Sequence, residues 1–512
     1  MWIQGIGSDP HKTAEYNALS RARQACIDRK DAFCTMSNFA FFNFTRMLVK
    51  FPEHTWGSAG YVNGNLDVDK WSNAAFHQAR DHPETAVELL QQTQTAATYA
   101  EQRRFNMFAL EALDAFSDSF LAKEARKNLA ELHVKVPSVA GLLAVEPAKF
   151  AQKLVCGDVS LTFDANGALR SLSTKGKEYA GVGHELAQLQ YQSYNQSDFV
   201  WYHSSTANGC GQTCPCRACE HGFGKFNSSC PIAGFNDNTS HGCANPVRKR
   251  SLPTLRALHM SKDQCHAVAE LAFAPALPLL YGAPQTAYLT VDVGTDAINA
   301  SLVMWKKTST RLPEATWLNF KPRKSETPGA KFEMNKLGSW VDPQDVVAKG
   351  NQYQHGVHEE GFRYDGLQVR SLDALLIAPI TTQPAVQEIC PGTPAKASDD
   401  SVSSLAGGPP TAPGCKDIGC AWGGTPTALP GGGTRAAGLA PLQNVTGLAW
   451  NLHNNMWSIN CEQLAASCLL LLSMLLTTAV ASDPVFSPYN NDLWGNAYDD
   501  ANYQFRFELH FK

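Results

Sequence analysis

The hydrophobic period changes near Lys153, and this change constrains the fold more than any other feature of the 512-residue chain. Before it, apolar residues recur three or four positions apart. Tyr16, Leu19, Ala22 and Cys26 in TAEYNALSRARQACIDR predict an amphipathic helix over Thr13 to Arg29. Phe41, Phe42, Phe44, Met47 and Leu48 predict a second over Asn38 to Phe51, with an aromatic stripe of the kind that fills a core. Pro83 to Leu113 reads as a long helix whose stripe is interrupted at Gln94 and Glu101, and Ala115 to His133 as a further one ending before Pro137 and Gly141. Helices joined by short connections imply a small bundle.

From Lys153 onward apolar and polar residues alternate, as in LVCGDVSLTFDANGALRSLSTKG, where Asn166-Gly167 marks a hairpin. The runs TAYLTVDVG, INASLVMWKK, EATWLNFKP, LQVRSLDALLIAP and YQFRFELHF repeat that alternation, which predicts a β-sandwich. The expected fold class is α+β and multidomain. Residues 1–135 form the helical part and 136–512 a large antiparallel β-sandwich with insertions at 204–252, 391–438 and 462–488. A chain of this length is too long for one ordinary core.

The first insertion, Ser204 to Leu252, is polar and ends in the basic run Arg248-Lys249-Arg250. It gathers Cys210, Cys214, Cys216 and Cys219, with His221 and His241 nearby, a spacing that can ligate zinc but lacks two clean Cys-x2-Cys knuckles. The second, Pro391 to Gly438, is rich in Gly, Pro, Ala and Ser and reads as disordered. The third holds LAASCLLLLSMLLTTAVA, Leu464 to Ala481, eighteen residues without a charge. At about 1.5 Å per residue it barely matches a hydrocarbon core of about 30 Å. Its position argues against a span, because the strand-like NYQFRFELHF beyond it would be cut off from its sheet. A membrane span, a buried or interfacial helix and a translated intron stay open as readings.

A formal charge of −4 offers no field for nucleic acid or an anionic membrane, so a nucleic-acid role is disfavoured. Fifteen cysteines, odd in number and unevenly placed, do not establish an oxidising compartment. The six Asn-x-Ser/Thr sequons, at Asn43, Asn195, Asn227, Asn238, Asn299 and Asn444, exceed chance too little to argue from. MWIQGIGSDPHK contains neither a basic lead nor a long apolar run, so an ordinary signal peptide is not expected at Met1, and the localisation is left unassigned.

Chemistry is concentrated in Phe51 to Arg80. Its Pro52-Glu53-His54-Thr55-Trp56-Gly57 joins a carboxylate, an imidazole and an indole, groups able to hold a metal or a sugar ring, or simply to pack. PEHTWG, WSNAAFHQAR and Glu101-Gln102-Arg103 resemble an uncharacterised family, domain of unknown function 5054, whose members resemble the α-mannosidases of glycoside hydrolase family 38. So do the blocks Trp2 to Leu19, Arg311 to Pro322, Met334 to Val347 and Asp499 to Phe511.

The resemblance implies a zinc-dependent retaining glycosidase acting on carbohydrate, with a helical bundle joining a catalytic α/β-barrel to β-domains, so that residues 1–135 would hold the end of that barrel plus the bundle. It matches His54 to the late zinc-binding imidazole, and Glu53 and Trp56 either to groups that support that imidazole from behind or to a wall of the sugar site. The local EHTW is not the paired-His motif of those enzymes, and one His does not complete a zinc site of three or four ligands. The nucleophile region would precede Met1, so the chain is expected to begin part-way through such a protein and to be catalytically incomplete. The alternative is a non-catalytic carbohydrate-binding or structural protein, tethered to a membrane if 464–481 spans one. Glu314, Asp342 and Asp345 lie in family-like blocks and are read either as rim residues of the site or as strand-end and turn caps.

Overall fold

The computed structural model describes residues 9–51, 82, 101, 103–193, 249–307, 314–336, 338–343, 356–357, 361–381, 427–428, 434–435, 445–455 and 502–511. Helix Pro10–Asp28 starts where Asp9 accepts the Lys12 N–H at 3.2 Å and Pro10 takes the first turn, whose N–H needs no partner. Helix Phe39–Lys50 is capped by Asn38, which accepts from the N–H groups of Ala40 and Phe41. Leu19, Ala22, Phe41, Phe44, Leu48, Leu113, Leu121 and Ala125 share one apolar cluster, which also encloses Cys26 and Cys34. The helix expected over Ala115 to His133 is divided. A short 3-10 turn, Asp114–Phe116, precedes helix Phe120–Ala130, because Ser119 caps the new start by accepting from the Ala122 N–H. Of the long helix expected over Pro83 to Leu113, the described part includes helical residues 103–111; most of the rest, which would complete a bundle, falls outside the described residues.

The remainder is β-rich, and all its named pairings are antiparallel. Ten strands form one sheet in the order Leu143–Ala144, Thr254–Met260, His266–Ala272, Thr286–Val293, Ala297–Trp305, Tyr503–Phe511, Leu367–Ser371, Phe362–Tyr364, Glu333–Lys336 and Ser339–Val341. Six form a second, Gly356–Val357, Leu376–Thr381, Val445–Asn455, Glu314–Phe320, Gln188–Ser193 and Lys249–Ser251. One core joins them: Phe320 and Trp450 of the second sheet meet Phe507 and Phe362 of the first, with Phe320 and Trp450 centroids 5.7 and 5.4 Å from that of Phe507. Rings this deeply buried contribute about 2–3 kcal/mol each.

The chain's last strand is central and not an edge. Tyr503–Phe511 lies between Ala297–Trp305 and Leu367–Ser371, with Tyr503, Phe505, Phe507 and Leu509 turned inward, as their alternation predicts.

The Asn166-Gly167 hairpin forms, but its connection is a five-residue loop. Asp164 accepts from the N–H groups of Asn166 and Ala168, and Gly167 has φ +77°. A Cβ at Gly167 would stand 2.1 Å from a Leu271 methyl, so the backbone there needs both the left-handed conformation and the empty space of glycine.

Three expectations are corrected. LQVRSLDALLIAP is not one strand: Leu367–Ser371 and Leu376–Thr381 belong to different sheets. The chain turns between them where Ser371 accepts the Ala374 N–H and buried Asp373 grips Arg506 at 2.8 Å. The insertion expected at 204–252 ends earlier, since Lys249–Ser251 pairs with Gln188–Ser193 and takes up part of the basic run. Within Pro391 to Gly438, Thr427–Ala428 pairs with Thr434–Arg435, so that stretch is not wholly irregular.

The corner at Leu372 and Asp373 also receives the helices. Asn17 donates to the Asp373 carbonyl at 3.3 Å, Arg21 to the Leu372 carbonyl, and Arg506 reaches Glu131 at 3.2 Å.

Among the described residues there are two disulfides, Cys26–Cys34 and Cys156–Cys265. The second links strand Leu154–Cys156 of a separate four-stranded sheet to the turn before His266. Because 109 residues separate the pair, Cys156→Ser is expected to lower stability by about 2–4 kcal/mol, through freedom regained by the unfolded chain. Urea unfolding of oxidised protein against the variant checks this. Equal midpoints would mean that the cross-link does not constrain the chain.

Candidate functional site

A Glu in a strand with both faces covered is costly unless a cation answers it, and Glu314 is such a residue. It opens strand Glu314–Phe320 in the six-stranded sheet and is fully buried. Across three adjacent strands Tyr191, Thr316 and His453 stand in register, and Glu314, two residues before Thr316, shares its face. Lys307, just past strand Ala297–Trp305 of the other sheet, donates to Glu314 Oε1 at 2.5 Å and to the Gly282 carbonyl at 3.0 Å. The Tyr191 hydroxyl lies 2.6 Å from Glu314 Oε2 and against the Tyr281 carbonyl. Burial raises the Glu314 carboxyl above its ordinary pKa, with Lys307 and Tyr191 opposing. Burial, then the Glu314 charge, pushes the Tyr191 phenol well up.

From this pair a line of rings runs to the first helix. His453 Nδ1 is 3.8 Å from Glu314 Oε1, the His453 ring lies 5.5 Å from that of Tyr503, and His11 stacks on the other ring at 4.9 Å. Pro10, His11, Ala14, Leu132, Val134 and Tyr503 line a small cleft at this contact. Burial holds the His11 imidazole down at about 4, and burial followed by Lys307 holds His453 well below 6.5. Both rings are therefore neutral near pH 7.

Asp9, next but one to His11, accepts a two-point contact from Arg103, 2.6 Å from Nε and 2.9 Å from Nη2. Burial alone would raise the Asp9 carboxyl, but Arg103 outweighs it and keeps it below its usual range. Asn106 completes the layer by donating to Glu15 and to the Lys12 carbonyl.

The seam thus joins the first helix and both sheets. Glu314 and Asp9 are shut from solvent, and each is met by its own cation, Lys307 and Arg103. Such an arrangement fixes three elements to one another and can hold protons at fixed atoms. As it stands it presents neither carboxylate to a sugar.

Several sequence candidates lie elsewhere. His54, Glu53 and Trp56 fall outside the described residues, as do Asp345, the cysteine cluster at Cys210 to Cys219 and the apolar run 464–481. Asp342 is partly buried, 3.7 Å from Lys331. Glu314 is the one member brought into a polar cluster, and it is a buried strand residue and not a rim residue. His11, Arg103, Lys307, Tyr191, His453 and Tyr503 were missed. The only available signal was charge or imidazole inside otherwise apolar or capped segments, SDPHK and LPEATW. Among the described residues no three His, Cys, Asp or Glu side chains group as a metal requires, so the zinc implied by the resemblance has no home on them. Among the same residues no helix is long and apolar enough to cross a membrane.

Fold and seam together define a large antiparallel β-rich protein with a helical segment pinned to one end. Residues 6–212 match the model of a family described as a domain of unknown function (DUF5054). No curated protein matches the chain. Among solved structures, an α-mannosidase from Enterococcus faecalis V583 is 8% identical with a TM-score of 0.35, the match covering 92% of this chain and 54% of that one. The chain therefore spans about half the length of that structure. Likeness at this level assigns neither activity nor substrate.

Proposed function

We propose that this chain is a glycoside hydrolase-like protein of the α-mannosidase type, supplying the helical and β-sandwich part of a site that acts on carbohydrate. One observation carries the reading. Blocks resembling the family lie far apart in sequence, yet their polar residues meet at the seam: Asp9 and His11 from the first, Arg103 from the second, Glu314 from Arg311 to Pro322 and Tyr503 from the last. Sequence shared only for packing would not need to place its charged residues together. In this reading the seam is a positioning floor, and His54, Glu53 and Trp56 are the residues assigned to the zinc and the sugar. His54 is the late imidazole ligand through which zinc would enter.

The enclosure of Glu314 and Asp9 favours a second reading, a carbohydrate-binding protein without turnover. The experiment measures binding of methyl α-mannoside to the full chain by calorimetry and release from an aryl α-mannoside with and without added zinc. Saturable binding weakened about tenfold or more by Trp56→Ala, a loss of at least about 1.4 kcal/mol, is expected. Release lost in His54→Ala would favour the enzyme, and binding without release the second reading. Neither binding nor release would overturn both.

A further inference from the structure

We infer that the chain matures in an oxidising, glycosylating compartment and carries an N-linked glycan on Asn299. Among the described residues there are four cysteines, and every one is paired: Cys26 with Cys34 at a Cα separation of 6.0 Å, Cys156 with Cys265 at 5.0 Å. Complete pairing, one bridge inside the helical core and one joining two sheets, is the pattern of a chain whose thiols meet an oxidant. Each pair loses two electrons and two protons to a disulfide-carrying oxidant as its S–S bond forms.

In such a compartment an Asn-x-Ser/Thr sequon becomes a modification site if the folded chain leaves room at the amide. Two of the six sequons have a described Asn, and they differ. Asn43 lies within helix Phe39–Lys50 with its Oδ1 buried and without a hydrogen-bond partner, and Thr45 of the same sequon accepts from Arg23 at 3.0 Å. A glycan there would crowd a half-buried helical position whose amide oxygen faces the fold.

Asn299, in Asn299-Ala300-Ser301, is exposed on strand Ala297–Trp305, paired across the sheet with Asp292 and Glu508, on a polar outer face. Four residues on, the same face is covered, for Val303 packs on Val134. At Asn299 it is open.

Transfer from a lipid-pyrophosphate-linked oligosaccharide would form the bond from Asn299 Nδ2 to the anomeric carbon. The bond from that carbon to phosphate breaks, the lipid pyrophosphate leaves, and the Nδ2 proton passes to the transferase's base.

The test uses the full-length chain tagged at its own locus and purified from its native cells. Alkylation before and after reduction should show Cys26, Cys34, Cys156 and Cys265 protected until reduced. Peptide N-glycosidase in 18O water should label Asn299 and leave Asn43 unlabelled, and Asn299→Gln should remove one step of gel mobility. Free thiols at these four positions, or an unlabelled Asn299, would overturn the inference. Neither readout depends on carbohydrate being the protein's substrate, so it stands or falls apart from the proposed function.

Discussion

Lys307→Met is expected to lower the stability of the protein by about 3–5 kcal/mol at neutral pH, the cost of leaving a buried carboxylate without its cation. Methionine refills most of the lysine stem, so little of the loss comes from a cavity. Glu314 would keep only the Tyr191 hydroxyl as a donor, at 2.6 Å, with neutral His453 beside it. Its carboxyl, already raised by burial, would rise further. The deficit should therefore shrink in acid, where Glu314 is protonated. Lys307→Met combined with Glu314→Leu should recover to within about 1 kcal/mol of wild type or exceed it, since a well-packed apolar pair often replaces a buried ion pair without loss. Urea unfolding at pH 7 and pH 5 measures all three proteins. A single variant as stable as wild type would show that the pair does not hold the two sheets together.

Acid should loosen the seam at its two histidines before Asp9 titrates. A His whose pKa is lowered on folding contributes stability that is complete above its unfolded pKa and is lost as pH falls through its folded one. For His11 that window runs from 6.5 down to about 4. At about 1.4 kcal/mol per pH unit, the contribution is on the order of 3 kcal/mol. His453 is lowered in the same direction and adds to the slope below pH 6.5. Asp9, kept below 3.8 by Arg103, acts only at lower pH, so the two effects separate along the pH axis.

Unfolding free energy followed from pH 7 to pH 4 should fall steeply in wild type and less so in His11→Phe. The double variant with His453→Phe should lose that fall, leaving the opposite and stabilising protonation of Glu314. Phenylalanine keeps the stack on Tyr503 while removing the proton site. An unchanged slope in the double variant would place the acid sensitivity elsewhere.

These two effects arise from groups the sequence displays but does not connect. Local pattern was enough for the first helix, since Asp9, Pro10 and a stripe from Tyr16 to Cys26 act within a few turns. It was enough for the inward face of Tyr503–Phe511 and for the hairpin around Gly167. It failed at Ser371 to Ala374, where alternation continued in sequence while the chain changed sheets. That corner is set by Asp373 binding Arg506, a residue 133 positions away. It failed for the cysteines as well, because an uneven count says nothing about which sulfurs meet.

The sequence by itself determined the helix-then-strand order, the faces the strands bury and the blocks that resemble one family. Only the tertiary structure decided that Asp9, His11, Arg103, Glu314 and Tyr503 belong to one seam, that Lys307 answers Glu314, and that Cys156 reaches Cys265. The reason is range. Hydrophobic period and capping are written in neighbours a few residues apart, whereas a buried charge finds its partner through the packing of whole elements.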